Sequence, residues 1–289
     1  MNFSVIGGDL RLSNLAKMLS KDDNKVCVFG LEKVDELNED KRIKKCSNID
    51  EAIKESDIII SSIPFLKSNG EIYTLFSDIH IFPKDFIKEN SSEKIFIAGS
   101  IKEKEKTLLE KNYKEVIDLM KQEELTILNT IATAEGAVSV AIQNTDTNLH
   151  SSKVLILGFG RVAKIVANRF DKLCSKVTCA ARKSTDFAWI QAYGYEFTNI
   201  NELGENLNKY DIIINTVPQM ILDKSRLNFM KKDVLLIDLA SVPGGIDFEE
   251  ADKMHIKYVW ALGLPGKIAP VASAEFIKEQ IYKICSKVY

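Results

Sequence analysis

Short runs of β-branched and aliphatic residues recur along the chain, separated by stretches with helical spacing. They fall at residues 3–6, 26–29, 58–63 and 95–98 in the first half, and at 154–157, 177–180, 212–216, 234–239 and 258–262 in the second. Their hydrophobicity is continuous where a half-exposed strand would alternate, so each must be covered on both faces. Between them, Leu12, Leu15, Ala16 and Leu19 share one helical face, as do Val162, Ile165, Val166 and Phe170. A strand buried on both sides and followed by an amphipathic helix is a βαβ unit. Its repetition specifies an α/β fold built on parallel sheets.

At 289 residues the chain holds about two domains of ordinary size. The halves meet between residues 129 and 152. There Ala134, Ala137, Val138, Ala141 and Ile142 form an apolar face with Thr133 as the expected N-cap, and the polar stretch at 145–152 ends the helix. The expected architecture is two Rossmann-like, doubly wound parallel-sheet domains, residues 1–150 and 151–272, joined by this connecting helix. Ala274, Ile277, Ile281, Ile284 and Val288 mark a C-terminal helix, 273–289, predicted to pack back on the first domain. Of 14 glycines, eight stand in pairs just after predicted strands, at 7/8, 158/160, 244/245 and 263/266. In open α/β sheets ligands bind outside the carboxyl ends of the strands, so these turns mark one active edge per sheet.

Charge narrows the function classes. Lys plus Arg (39) nearly balance Asp plus Glu (41), a formal charge of −2, which argues against nucleic acid or an anionic membrane surface as partner. Glu135 interrupts the most apolar stretch, so no run is expected to reach the roughly 18 residues of a membrane span. Five cysteines with no CxxC spacing point to reduced thiols and no metal cluster, as expected of a cytoplasmic protein.

The segment from Val154 to Ala163 is a strand, then G-x-G-x-x-A, then a helix. Gly158 permits the tight turn, Gly160 lets backbone approach a pyrophosphate, and Ala163 allows close helix–strand packing. A dinucleotide phosphate would then sit on the helix N-terminus, beside Val162. Arg161 either adds a phosphate contact or is a solvated helix-start residue. The next strand ends in Arg182-Lys183-Ser184, without the acid that would bind a ribose 2′-hydroxyl. Two cations and a hydroxyl suit a 2′-phosphate, which favours NADP, with NAD use left open. Thr216, Val217, Pro218, Asp238 and Ser241 close later strands and are expected to line the nicotinamide side.

The first half opens similarly, with Gly7, Gly8, Asp9 and Arg11. Asp9 would occupy the helix N-terminus itself and repel a phosphate, so this domain should not bind the dinucleotide. Arg11 either clamps a substrate carboxylate or forms a structural pair with Asp9. Thr133 and Glu135, placed at the start of the connecting helix, are expected to face an interdomain cleft. Glu135 would there serve as general base, orienting acceptor or capping carboxylate.

With these segments assembled, the chain resembles the family of the NAD(P)-binding A-subunit of dipicolinate synthase over nearly its whole length. The likeness rests on Ile6-Gly-Gly-Asp-Leu-Arg11, Asn129 through Gly136, Leu157-Gly-Phe-Gly-Arg161, Ala181-Arg182, Asp238 through Ser241 with Pro243-Gly-Gly245, and Leu264-Pro-Gly-Lys267 with Ala269-Pro270. Ala132 stands where the family pattern has proline, which leaves Thr133 and Glu135 matched. The resemblance implies oxidation of dihydrodipicolinate to pyridine-2,6-dicarboxylate during spore formation, with hydride passing to NADP. It also implies substrate binding by Asp9, Arg11, Thr133 and Lys267, with Arg11, Thr133 and Lys267 holding the carboxylates, catalytic roles for Glu135 and Thr133, a flavoprotein B-subunit as partner, and an oligomeric assembly. Competing readings are a 2-hydroxy-acid dehydrogenase, an alanine-dehydrogenase-like enzyme and a non-catalytic NADP-binding protein of a complex. The first needs an acid–base histidine near the last strands, and the chain offers only His80, His150 and His255.

Overall fold

A computed structural model of the chain describes residues 1–88 and 91–288, apart from the side chain of Val288. The chain divides into two compact units, Met1–Asn129 with Ala269–Tyr289, and Thr130–Ile268. The first unit runs through β1 (Asn2–Ile6), α1 (Leu10–Lys21), β2 (Lys25–Phe29), α2 (Asp35–Glu39), β3 (Ile43–Lys45), α3 (Ile49–Lys54) and β4 (Ile58–Ser61). After a long connection come β5 (Ile95–Ala98), α4 (Glu103–Glu110) and β6 (Glu115–Asp118). Helix α5 (Glu123–Asn144) carries the chain into the second unit. That unit holds β7 (Lys153–Leu157), α6 (Arg161–Lys172), β8 (Lys176–Ala181), α7 (Ser184–Ala192), β9 (Glu196–Asn199) and β10 (Ile212–Asn215). It ends with α8 (Lys224–Leu227), β11 (Leu235–Asp238), α9 (Phe248–Lys253), β12 (Lys257–Trp260) and α10 (Leu264–Ile268), after which α11 (Pro270–Val288) returns to the first.

Each unit is built on a six-stranded parallel sheet, ordered β3-β2-β1-β4-β5-β6 and β9-β8-β7-β10-β11-β12. Both are Rossmann-like, as the alternation of runs and helices predicts. The winding reverses between β1 and β4 and between β7 and β10, which opens a crevice at the carboxyl ends of those strands. The continuous runs are explained by packing on both faces. In the first sheet Val5, Ile60 and Ile97 pack with Leu12, Leu15 and Leu19, while their neighbours Ile6, Ile59 and Phe96 pack with Phe65 and Phe86 on the other side. In the second, Ile156 and Ile214 meet Ala163, Val166 and Phe170, and Leu155, Leu157 and Ile213 meet Leu203, Leu207 and Leu222.

Three strands have no apolar run to announce them, namely β3 (Ile-Lys-Lys), β6 (Glu-Val-Ile-Asp) and β9 (Glu-Phe-Thr-Asn). All three are sheet edges, where charges blunt an exposed ladder and burial is partial in β3 and β6 and incomplete at every residue of β9. The connecting helix also differs from expectation. It begins at Glu123, so Thr133 is an interior residue and not an N-cap, and Glu135 does not cap the helix either. Glu123 and Glu124 supply the acidic first turn. The division between units falls inside this helix, at 129/130, and not in the polar break at 145–152. Contrary to the sequence reading, α5 is long and apolar enough to cross a membrane by length and composition; Leu125, Ala132, Ala134, Ala137 and Ala141 are buried within the protein.

Helix α11 packs on α1 through Ala274, Ile277, Ile281, Ile284 and Cys285. Lys278 Nζ and the Tyr282 hydroxyl both donate to Asp22 Oδ2, at 2.9 and 2.8 Å, which holds the Asp22 carboxyl below the ordinary carboxylate range. The Val288 side chain and Tyr289, at the end of the predicted helix, lie outside the described residues.

Candidate active site

The exits of β7, β8 and β10 converge on a groove of about 490 Å³ in the second unit, within the usual size range of small-molecule sites. The start of α6 contributes Gly158, Gly160, Arg161 and Val162. The exit of β8 contributes Arg182 and Lys183, and that of β10 contributes Thr216, Val217 and Pro218. Nine of the residues read from the sequence as cofactor contacts are therefore brought together.

The two glycines of the turn are glycine for different reasons. Gly158 has φ +98° and a Cβ there would lie 2.7 Å from Thr216 Oγ1, so the fold itself demands the missing side chain. The Thr216 hydroxyl in turn donates to the Leu157 carbonyl at 2.7 Å, tying β10's exit to β7's. Gly160 has an ordinary φ of −81°, and a Cβ there would meet nothing within 4 Å. The fold makes no steric demand for glycine at that place, and the backbone there is open to a ligand. Gly160 is also the N-cap of α6 and offers no side-chain cap, leaving the helix terminus to an anion. The residues thus fit a dinucleotide pyrophosphate.

Three predicted cofactor residues lie outside the groove. Asp238 is fully buried and accepts from Asn215 Nδ2 (2.8 Å), Ala240 N (2.9 Å) and Gly245 N (2.7 Å). Its carboxylate joins the end of β10 to the loop after β11 and so positions the edge of the groove. Ser241 is exposed, and its carbonyl accepts from Gly244 N. Ser184 is exposed as the first residue of α7. Conversely, Phe159, Ala181, Asp186, Ile200 and Ile221 line the groove without having been singled out. Strand-exit position was the signal available for Ala181 and Ile221; for Asp186 it was its place one helical turn beyond Arg182.

Thr133 and Glu135 lie mid-helix, with Glu135 exposed. A Cβ at the adjacent Gly136 would come within 3.0 Å of Leu264, so this glycine lets α10 press against α5. Lys267, exposed on α10, is thus carried by a helix in contact with the one bearing Thr133 and Glu135.

In the first unit, Asp9 caps α1 by accepting from Arg11 N at 3.0 Å. Arg11, only 7% exposed, directs Nε to both Asp9 oxygens and Nη2 to Asp9 Oδ2 (2.8 Å) and to the Ile63 carbonyl. The structural pair is formed, and only Nη1 remains without a hydrogen bond among the described residues. A further segment lies across this glycine turn: Gly8 N donates to Tyr73 O (2.8 Å) and Leu75 N to Gly8 O (3.0 Å). Burial, aided by the Asp9 charge, pushes the Tyr73 hydroxyl's pKa up.

All three histidines are exposed and none lines the groove. Among the described residues no cluster of His, Cys, Asp and Glu is arranged to hold a metal.

Residues 2–120 match the family model of the N-terminal domain of the dipicolinate synthase A-subunit, and residues 114–243 match the NAD-binding domain of D-isomer specific 2-hydroxyacid dehydrogenases. The second unit therefore carries a dehydrogenase-type nicotinamide-cofactor domain. The dipicolinate synthase A-subunit of Bacillus subtilis (strain 168) is 31% identical over 290 aligned residues, covering 100% of this chain and 97% of that protein. The crystal structure of the same synthase component from Bacillus subtilis superposes with a TM-score of 0.87 at 29% identity, covering 100% and 96% of the two chains. The A-subunit structure from Bacillus halodurans gives 0.87 at 31% identity, covering 98% and 97%.

Proposed function

The chain belongs to the dipicolinate synthase A-subunit family, and on that premise we propose that it dehydrogenates dihydrodipicolinate to pyridine-2,6-dicarboxylate with NADP, alongside a flavoprotein partner. The observation that carries the reading is the groove at the start of α6: open at Gly160, uncapped, and edged by Arg182 and Lys183. As an NAD(P)-dependent oxidoreductase the protein needs a hydride acceptor, and the bound nicotinamide supplies it. The N–H groups at the start of α6 hold the pyrophosphate. Arg182 and Lys183, with Ser184 beside them, hold the 2′-phosphate. Thr216, Val217 and Pro218 shape the nicotinamide side.

For the substrate, Thr133 and Lys267 are assigned to the carboxylates. Arg11 contributes through Nη1 alone, since its other donors are committed to Asp9 and Ile63. Loss of one hydride and one proton makes the ring aromatic, so the step is strongly downhill and demands mainly orientation. Glu135 or water takes the proton. Oxidation of a 2-hydroxy acid would instead require an acid–base group at the hydroxyl.

The test mixes the protein with NADP, the flavoprotein partner and freshly generated dihydrodipicolinate. NADPH and pyridine dicarboxylate are expected to form together in equal amounts. Dicarboxylate at the uncatalysed rate with no NADPH would replace this reading with that of a non-catalytic, nucleotide-binding component of the complex.

A further inference from the structure

Asp186 is an acid in a place built for an anion. It stands in the first turn of α7 and lines the groove together with Arg182 and Lys183. Among the described residues its carboxylate makes no hydrogen bond or ion pair, and neither do the charged ends of Arg182 and Lys183. Some other first-turn acids in the molecule are committed, Glu51 to Lys44 and Glu250 to Lys224 and Lys253, while Asp35 and Glu249 stand without a hydrogen bond or ion pair among the described residues but do not line the groove. A first-turn carboxylate suits the helix dipole, but that accounts for neither its place in the groove nor its lack of a partner.

The chemistry of the ribose explains both. A subsite serving only a 2′-phosphate would exclude a carboxylate, because like charges repel across a desolvated groove. A free ribose diol is the opposite case: two O–H donors need an acceptor, and an ionised carboxylate accepts on two oxygens. In dinucleotide folds that acceptor ordinarily sits at the end of the second strand, where this chain has Arg182.

We infer that Asp186 is the residue that decides between NAD and NADP. It accepts the adenosine ribose hydroxyls when the 2′ position is free, and it opposes the phosphate that Arg182 and Lys183 attract when the position is esterified. The groove therefore takes both dinucleotides, with Asp186 limiting its preference for NADP. This rests on the reading of the groove as a dinucleotide site with Arg182 at the 2′ position.

The experiment is equilibrium titration of NAD and of NADP into the wild type, Asp186→Asn and Arg182→Ala, each checked by its melting temperature. Asp186→Asn is expected to weaken NAD about tenfold, the scale of one hydrogen bond to a charged group, while NADP binds as tightly or more tightly. Arg182→Ala is expected to weaken NADP and spare NAD. An unchanged NAD-to-NADP ratio in Asp186→Asn, or equal weakening of both, overturns the inference. If Arg182→Ala leaves NADP binding unchanged while Asp186→Asn still weakens NAD, the phosphate assignment fails and the role of Asp186 in holding the diol stands.

Discussion

The two units repeat one topology and treat the same edge in opposite ways. After β1 the glycine turn is closed three times over: Asp9 caps α1, Arg11 neutralises Asp9, and the backbone at Tyr73–Leu75 hydrogen-bonds across Gly8. After β7 the corresponding helix has no side-chain cap, and Gly160 has empty space over it. A strand followed by paired glycines and a helix is thus not a binding site by itself. The residue at the helix N-cap decides whether the terminus is satisfied from within or left for a ligand.

Substitutions at matched places separate these cases. The largest effect is expected from Asp9→Ala, which removes the cap and strands a buried guanidinium. Thermal or urea unfolding should show a loss of about 3–5 kcal/mol, while NADP affinity of the folded protein stays unchanged. A loss under about 1 kcal/mol would mean that the closed edge contributes little to holding the first unit together. Gly160→Val should do the reverse. NADP affinity should fall more than about 10²-fold, as when two charge-assisted contacts are lost, with stability altered by about 1 kcal/mol or less. Unimpaired binding would place the pyrophosphate elsewhere.

Arg182→Asp should cost about 2 kcal/mol in NADP binding by titration and leave NAD affinity equal or improved. Equal NADP affinity in the two proteins would remove the 2′-phosphate from this rim. The smallest effect belongs to Asp22→Asn, a charge removed from the first unit away from its glycine turn. Because Lys278 and Tyr282 lower the Asp22 pKa, its stabilisation is present above the ordinary carboxylate pKa and is lost as pH falls through the lowered value. The pair is partly exposed, so about 0.5 kcal/mol at neutral pH is expected, shrinking in acid. An equal deficit at all pH values would indicate lost packing instead.

How legible these features were in the sequence follows from where their physics resides. Strands buried on both faces write themselves as apolar runs, so the centre of each sheet could be read, whereas β3, β6 and β9 answer to solvent on an edge and carry no such run. The pyrophosphate turn was readable because its spacing is local. Asp9's role was readable too, since a cap lies beside what it caps. Asp238 reads as a ligand contact from its place at a strand exit, and its three donors, one of them from the end of β10, are visible only in the fold. The start of α5 was misplaced because the apolar residues of its first turns do not share one buried face; Leu125 is buried but Ile127 is exposed. Tyr73's approach to Gly8 joins residues far apart in sequence, and no local pattern announces it.

The return of α11 to the first unit has a consequence for the order in which the molecule is made. Residues 130–268 are contiguous, so that unit can close as soon as it leaves the ribosome. The other unit draws on two separated stretches, because Ala274, Ile277 and Ile281, which share a core with α1, follow residues 130–268 in the chain. Until those residues emerge, the core in which Leu12, Leu15 and Leu19 meet Val5, Ile60 and Ile97 lacks its last layer.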